Sequence, residues 1–181
     1  PALGRHLRLA DDPTAQHSVH GRNYWNPSFF RANDCGPAVI DELSAMYPDR
    51  EFNLAVGPSS NGVPAFRLFE AVRSNSEFAT YAQIENRLRG LGHGSSALIA
   101  SSWRGFRSGG HAYLAVNDGG EIHLLDAHTG HRSGWPPHWG QDAVSRTAVG
   151  YLDSDGHPVV PYEGRPRQLA AAGKIGRVQG H

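Results

Sequence analysis

The sequence predicts an α+β fold in which helices come first and strands follow. Apolar residues recur at helical spacing between positions 34 and 91, and patterns typical of extended strands replace them after Gly94. An Asn-Asp-Gly-Gly run between two apolar stretches is typical of a β-hairpin turn. The chain has 181 residues, of which 39% are hydrophobic, enough for one substantial core. We therefore expect a single domain over residues 1–181, with its N-terminal helices packed on a mostly antiparallel sheet.

Composition and charge exclude several classes of protein. Seventeen basic residues balance seventeen acidic ones, so the chain lacks the basic excess typical of proteins that bind nucleic acid or anionic membranes. No apolar run approaches the ~20 residues of a transmembrane helix. A single cysteine rules out an internal disulfide framework and multi-cysteine zinc or iron–sulfur sites. The sequence opens at Pro1 without the pattern of a signal peptide, as expected of a piece cut from a longer protein.

Three helices are predicted. The first begins near Asp34, carries apolar residues at helical spacing and stops at Pro48. Pro37 fits its first turn, where a missing N–H group costs no hydrogen bond. Periodic apolar residues predict two further helices, over Val63–Ser74 and Ala82–Leu91.

Four strands are predicted from short apolar runs: Ala97–Ser101, His111–Val116, Glu121–Leu125 and Thr147–Leu152. Residues 1–32 are polar and loop-like, and residues 127–142, rich in Trp, Pro and His, are also expected to form a loop. Residues from Glu163 onward are too weakly patterned for an assignment.

The predicted hairpin allows two registers. With Asp118-Gly119 as the turn, His111 lies opposite Asp126. With Gly119-Gly120 as the turn, His111 lies opposite His128, and Asp126 stays on the same face. Both registers therefore place the imidazole and the carboxylate on one side of the sheet. The alternative is a solvent-facing His–Asp pair at the open end of a hairpin.

Cys35 falls at the predicted start of the first helix, where the helix dipole and unpaired N–H groups favour a thiolate. The same N–H groups can hold a developing oxyanion. Gly36 has no side chain to block a substrate beside the sulfur. A nucleophilic cysteine needs a base and the base needs an orienting group, which His111 and Asp126 supply. The alternative is a buried, inert thiol.

Competing chemistries have weaker support. The sequence contains no HExxH, CxxC, GxSxG or Walker-type motif. A metal site built from Asp126 and several histidines is disfavoured, because His123 should face away from His111 and the others lie on a predicted loop. We expect neither a metal nor another cofactor. The Trp-rich segment Gly134–Gly140 is interpreted as packing that also walls the cleft beside Asp126.

The stretch from Gly92 to Gly130 resembles the papain-like toxin deamidase domains found at the C-termini of bacterial polymorphic toxins. That family has an Asn-Cys element opening a helix, a strand ending in Trp, a Gly-His-Ala strand and a strand closing on Asp-Pro-Gln-x-Gly. The matching pieces are Asn33-Asp34-Cys35-Gly36, Ser102-Trp103, Gly110-His111-Ala112 and Asp126-Ala127-His128-Thr129-Gly130. The resemblance covers about residues 23 to 132.

This resemblance implies a papain-like cysteine-enzyme fold with a catalytic core at about residues 23–152. It also implies Cys35 as nucleophile, His111 as base and Asp126 as the residue that orients the base. No glutamine shortly precedes Cys35 to serve as a side-chain oxyanion donor. The candidates for oxyanion or substrate contacts are Asn33, Gly36 and His128.

The resemblance implies a secreted or translocated bacterial toxin domain that acts in the cytoplasm of a target cell. Its expected reaction is deamidation of glutamine side chains in a target protein, and a cognate immunity protein is an expected partner. The same acyl-enzyme serves a cysteine protease, an amidase or a transglutaminase, so these activities are alternatives. The alternative from another class is a non-catalytic binding module on a papain-like frame.

Overall fold

A computed structural model describes residues 18–19, 22–23, 35–54, 63–105 and 109–162. The described residues form an α+β arrangement of three helices and a six-stranded antiparallel sheet, with a separate pair of short strands. The helices are α1 (Cys35–Met46), α2 (Ala65–Ala71) and α3 (Tyr81–Leu91). The short pair is β1 (Ser18–Val19) and β2 (Arg22–Asn23). The sheet contains β3 (Glu77–Phe78), β4 (Ser96–Trp103), β5 (Gly110–Asp118), β6 (Glu121–Asp126), β7 (His131–Gly134) and β8 (Val144–Leu152).

The sheet has the strand order β3-β8-β4-β5-β6-β7 and is covered by helices on both faces. Alternation along β5 sends Ala112 and Leu114 toward the cluster that contains α1 and α2. Tyr113 and Ala115 point to the opposite face, which packs against α3. No helix among the described residues has the length and apolar character needed to cross a bilayer. β5 thus lies between two apolar clusters, and its first residues carry the predicted base.

The predicted helices are confirmed, with shifted ends. α2 is shorter than the predicted Val63–Ser74: it begins after Pro64 and ends before Arg73, whose φ is 55°. α3 begins at Tyr81, one residue before the predicted start, because Thr80 caps it. The Thr80 side chain accepts the Gln83 backbone N–H, and the Gln83 side chain accepts the Thr80 N–H.

The hairpin adopts the second of the two registers, with Gly119-Gly120 as its turn. Asp118 pairs with Glu121, and the pairing continues to Leu114 opposite Leu125. The φ angles of the two glycines are 66° and 98°. A two-residue turn of this kind needs positive φ at both central positions, and glycine adopts it at the lowest cost. The Asn117 side chain strengthens the turn by accepting the Gly120 backbone N–H at 2.8 Å.

The expectation that residues 127–142 form only a loop is wrong. They include β7 at the sheet edge, paired with β6, and a 3-10 turn at Gln141–Ala143. β3, at the opposite edge, was also missed. Such short edge strands lack apolar alternation and exist because a neighbouring strand pairs with their backbone. Residues 163–181, and residues 1–32 apart from β1 and β2, lie outside the described part of the chain.

Candidate active site

Cys35 is the first residue of α1, and its half-buried thiol meets the beginning of β5. The sulfur is hydrogen-bonded to the His111 side chain and receives the backbone N–H groups of Ala112 and Gly36. The N-terminus of α1 therefore faces the strand that carries the predicted base.

The strand pairing of β5 explains why the sulfur can reach its backbone. β5 pairs with β4 from Gly110 onward, whereas its pairing with β6 starts only at Leu114. The first residues of β5 therefore lack a β6 partner, and the Ala112 N–H is available to the sulfur. Sequence reasoning missed Ala112 because a backbone donor leaves no side-chain signal.

His111 and Asp126 are joined directly: Nε2 of His111 lies 3.0 Å from Oδ2 of Asp126. Their side chains are only 16% and 14% exposed. The other carboxylate oxygen, Oδ1, accepts the backbone N–H groups of His128 at 3.1 Å and Thr129 at 3.4 Å. The carboxylate is therefore fixed by the turn that follows it. The other ring nitrogen of His111, Nδ1, is left for the hydrogen bond with Cys35.

The three groups shift one another's ionisation. Burial raises the pKa of the Cys35 thiol, but hydrogen bonds from His111 and Ala112 and the charge of His111 outweigh it, so the pKa lies below its usual value. Burial lowers the pKa of His111, but its bonds to Asp126 and Cys35 raise it overall to about 9. The pKa of Asp126 is lowered, because the bond to His111 outweighs burial. The lowered pKa of the thiol and the raised pKa of the imidazole both favour transfer of a proton from Cys35 to His111.

Gly36 has a packing reason to be glycine. A Cβ on Gly36 would lie 3.1 Å from Cδ2 of Leu68 and 3.1 Å from Cβ of Val63. Because Gly36 has no side chain, α1 can pack closely against α2 and against the residues just before it. The backbone N–H of Gly36 contributes to the site by donating to the sulfur.

Two predicted site residues remain, Asn33 and His128. Asn33 lies outside the described residues. His128 is half-buried in the turn after β6, where its backbone N–H holds Asp126.

Among the described residues, two aromatic rings contact the imidazole. Tyr113 stacks on His111 with ring centroids 5.5 Å apart, and Trp139 meets it edge-on at 6.0 Å. Trp139 belongs to the Trp-rich segment that the sequence assigned to packing near the cleft. Tyr113 was missed, although the two-residue periodicity of a strand could have identified it. It lies two residues from His111, and such residues share one face of a strand.

Within the described ranges, one group of side chains has metal-ligand spacing, namely Asp153, Asp155 and His157. None of these residues belongs to the Cys35 site. The histidines considered as ligands in the sequence do not form such a group there. His123, for example, lies 3.7 Å from the carboxylate of Glu121.

The comparison with curated proteins gives no match. A family model described as papain fold toxin 1, glutamine deamidase, matches residues 31–131. The match spans more than half of the chain and includes Cys35, His111 and Asp126. It confirms the resemblance and the papain-like fold class that the sequence indicated. The chain belongs to the papain fold toxin 1, glutamine deamidase, family.

Proposed function

We propose that this chain is a cysteine-dependent protein-glutamine deamidase, delivered by secretion or translocation and active in the cytoplasm of a target cell. The observation that carries the proposal is the hydrogen-bonded series Cys35–His111–Asp126 at the N-terminus of α1. The family's description as a toxin glutamine deamidase supports the reaction and a protein substrate. Cys35 is the nucleophile, His111 the acid and base, and Asp126 the orienting residue.

Acylation begins when the Cys35 thiolate attacks the side-chain carboxamide carbon of glutamine. A carbon–sulfur bond forms, and the carbonyl electron pair moves onto oxygen. The unpaired N–H groups and the dipole at the start of α1 favour negative charge at this place. The hydrogen bonds to the sulfur lower the pKa of Cys35 and so favour the thiolate, and His111 is placed to accept the proton of a neutral thiol.

The tetrahedral intermediate then collapses. The carbon–nitrogen bond breaks while His111 gives its proton to the departing nitrogen, which leaves as ammonia. Water attacks the thioester, His111 accepts a proton from that water, and the thiolate departs. The net reaction consumes one water and converts a glutamine carboxamide into a glutamate carboxylate and ammonium.

Asp126 keeps the base in the orientation that both steps need. Its bond to Nε2 directs Nδ1 toward Cys35, and its charge stabilises the imidazolium that gives up the proton. Because the turn after β6 fixes Oδ1, the carboxylate does not have to be ordered when substrate arrives.

The decisive experiment is mass spectrometry of lysate proteins incubated with the domain, with Cys35→Ala as the matched control. We expect glutamine-to-glutamate conversion at defined sites with the active protein and none with Cys35→Ala. New peptide termini would instead identify a protease, and amine cross-links a transglutaminase. No change of any kind, together with a thiol that iodoacetamide does not label near neutral pH, would overturn the proposal in favour of a binding module.

The proposal includes a cognate immunity protein that protects the producing cell. Such a protein should bind the domain and stop the mass shift when added before the lysate. Cys35→Ala should still bind it, because the substitution removes only the sulfur and alanine is a favourable helix residue. If no protein encoded by the producing organism binds the domain and stops the mass shift, this part of the proposal is wrong.

A further inference from the structure

The two rings beside His111 are held by one hydroxyl group. Trp139 donates its indole N–H to Oη of Tyr81 at 2.9 Å. Tyr113 donates its hydroxyl to the same oxygen at 3.3 Å. The rings of Trp139 and Tyr113 also meet edge-on, with centroids 5.4 Å apart. Tyr81 therefore connects both aromatic neighbours of the imidazole, although it lies on a different element.

Tyr81 is itself firmly placed. It is the first residue of α3, is 4% exposed and follows the capping box of that helix. Its backbone N–H donates to Oε1 of Gln141 at 2.8 Å, and its carbonyl accepts the indole N–H of Trp135 at 3.1 Å. The segment between Trp135 and Gln141 is thus attached to Tyr81 on both sides of Trp139.

A second anchor lies beneath Tyr113. Its hydroxyl is 2.8 Å from Oγ of Ser101, which lies 3.3 Å from Oγ1 of Thr147. All three side chains are buried, and they come from the three adjacent strands β5, β4 and β8. Burial raises the pKa of Tyr113 far above its usual value, so the phenol keeps its proton. A buried polar network with every member satisfied is rigid and costly to break.

We propose that Tyr81 and Trp139 are positioning residues of this active site: the Tyr81 hydroxyl fixes the Trp139 ring, and that ring holds the imidazole of His111 between Cys35 and Asp126. This inference rests on the proposed function, since it concerns the same site. The contacts described for the two residues lead to His111 rather than to the sulfur. Their effect acts through the orientation of His111.

The test uses variants that each remove a defined set of contacts. Tyr81→Phe keeps the ring and removes the oxygen that accepts from both Trp139 and Tyr113. Trp139→Phe keeps a ring and removes the indole donor, and Trp139→Ala removes the ring and the donor. Trp135→Phe is the matched control, because Trp135 also hydrogen-bonds to Tyr81 and packs on its ring, with centroids 5.3 Å apart. No described ring contact joins Trp135 to His111.

Two readouts report on His111 without a substrate. The first is the NMR signal of the His111 Nε2 proton, whose exchange with water reports how well the bond to Asp126 is held. The second is the rate at which iodoacetamide alkylates Cys35 at neutral pH, which depends on the thiolate–imidazolium pair. Melting temperatures, measured in parallel, separate positioning from loss of fold.

We expect Tyr81→Phe to lower the alkylation rate about 3- to 10-fold, the equivalent of one hydrogen bond. Trp139→Ala should lower it about 10- to 100-fold, as expected when a reacting group is misplaced. Both variants should speed proton exchange at His111 Nε2, and Trp139→Phe should be intermediate. Trp135→Phe should change the melting temperature at most.

The double variant Tyr81→Phe/Trp139→Phe tests whether Tyr81 acts through Trp139. If Tyr81 acts through Trp139, Tyr81→Phe should cost less in the Trp139→Phe background than it costs alone, because the Trp139 donor is already gone and only the hydrogen bond from Tyr113 is left to lose. Additive losses, or a Trp135→Phe loss as large as that of Tyr81→Phe, would overturn the inference. Because Tyr81→Phe changes one atom, it keeps the test valid even if Trp139→Ala fails to fold.

These outcomes are distinguishable from failure of the proposed function. If lysate glutamines remain unchanged while the alkylation and exchange effects occur as expected, deamidation is wrong and the positioning role stands. If glutamines are converted and Tyr81→Phe and Trp139→Ala behave as wild type in both readouts, the positioning role is wrong.

Discussion

His111 reaches Asp126 diagonally across the β5–β6 hairpin. The register pairs Leu114 with Leu125, so one more step would place Asp126 opposite Tyr113. Diagonal neighbours on one face lie within reach of long or aromatic side chains, and here Nε2 and Oδ2 are 3.0 Å apart. The same face therefore gives His111 a carboxylate at one ring nitrogen and the stacked ring of Tyr113 beside it.

Asp126→Asn should leave the fold intact and lower deamidation by roughly 10²–10⁴-fold. The amide oxygen can still accept the N–H groups of His128 and Thr129, so the turn survives. The amide cannot stabilise an imidazolium, and its NH2 group favours the wrong tautomer of His111. Initial rates and melting curves measure the two effects. Activity within a few-fold of wild type at an unchanged melting temperature would remove Asp126 from the mechanism.

The pH dependence of deamidation should be bell-shaped. The rate falls as pH drops through the lowered pKa of Cys35, because the thiolate becomes protonated. It falls again as pH rises through about 9, the pKa of His111, because the proton for the leaving ammonia is lost. The two limbs belong to the coupled pair.

Alkylation of Cys35 by iodoacetamide separates the two limbs, because it requires only the thiolate. It should lose the alkaline decline while keeping the acidic one. In His111→Ala the labelling should shift toward the ordinary thiol range near pH ~8.5. Wild-type labelling that already follows that ordinary range would contradict the ion pair.

Expression of the domain in a bacterial or eukaryotic host should impair growth, and Cys35→Ala should relieve the impairment. Alanine removes the sulfur that forms the thioester and leaves α1 with a favourable helix residue. Growth curves at matched expression levels, checked by immunoblot, measure the effect. Equal toxicity of both proteins would remove catalysis as the cause.

Gly36→Ala should destabilise the protein by about 1–2 kcal/mol, because the new methyl group meets Val63 and Leu68 at 3.1 Å. Gly90→Ala is the matched control within a helix, since nothing lies within 4 Å of its Cβ position. It should be neutral or stabilising by up to ~1 kcal/mol. Urea unfolding of both variants gives the comparison. A Gly36→Ala protein as stable as Gly90→Ala would show that the α1–α2 contact can relax.

Local patterns were enough to predict the main elements of this fold. The helical period before Leu91 and the extended patterns after Gly94 correspond to α1–α3 and to the long strands β4, β5, β6 and β8. The edge strands β3 and β7 could not be predicted in this way. β3 pairs with β8, which is distant in the chain, and β7 pairs with β6 across a short turn. Both edge strands form through backbone pairing with a neighbour rather than through an apolar pattern of their own.

The sequence by itself determined that Cys35 begins a helix and that His111 and Asp126 share one face of a hairpin. Both facts follow from periods of 3.6 and 2 residues, which act between near neighbours. Only the tertiary structure decided that the Cys35 sulfur accepts the Ala112 N–H, at a point of β5 that precedes its pairing with β6. It also decided that Tyr81 holds Trp139 against the imidazole of His111. Those contacts join segments far apart in the chain, so they exist only once the helices have packed on the sheet.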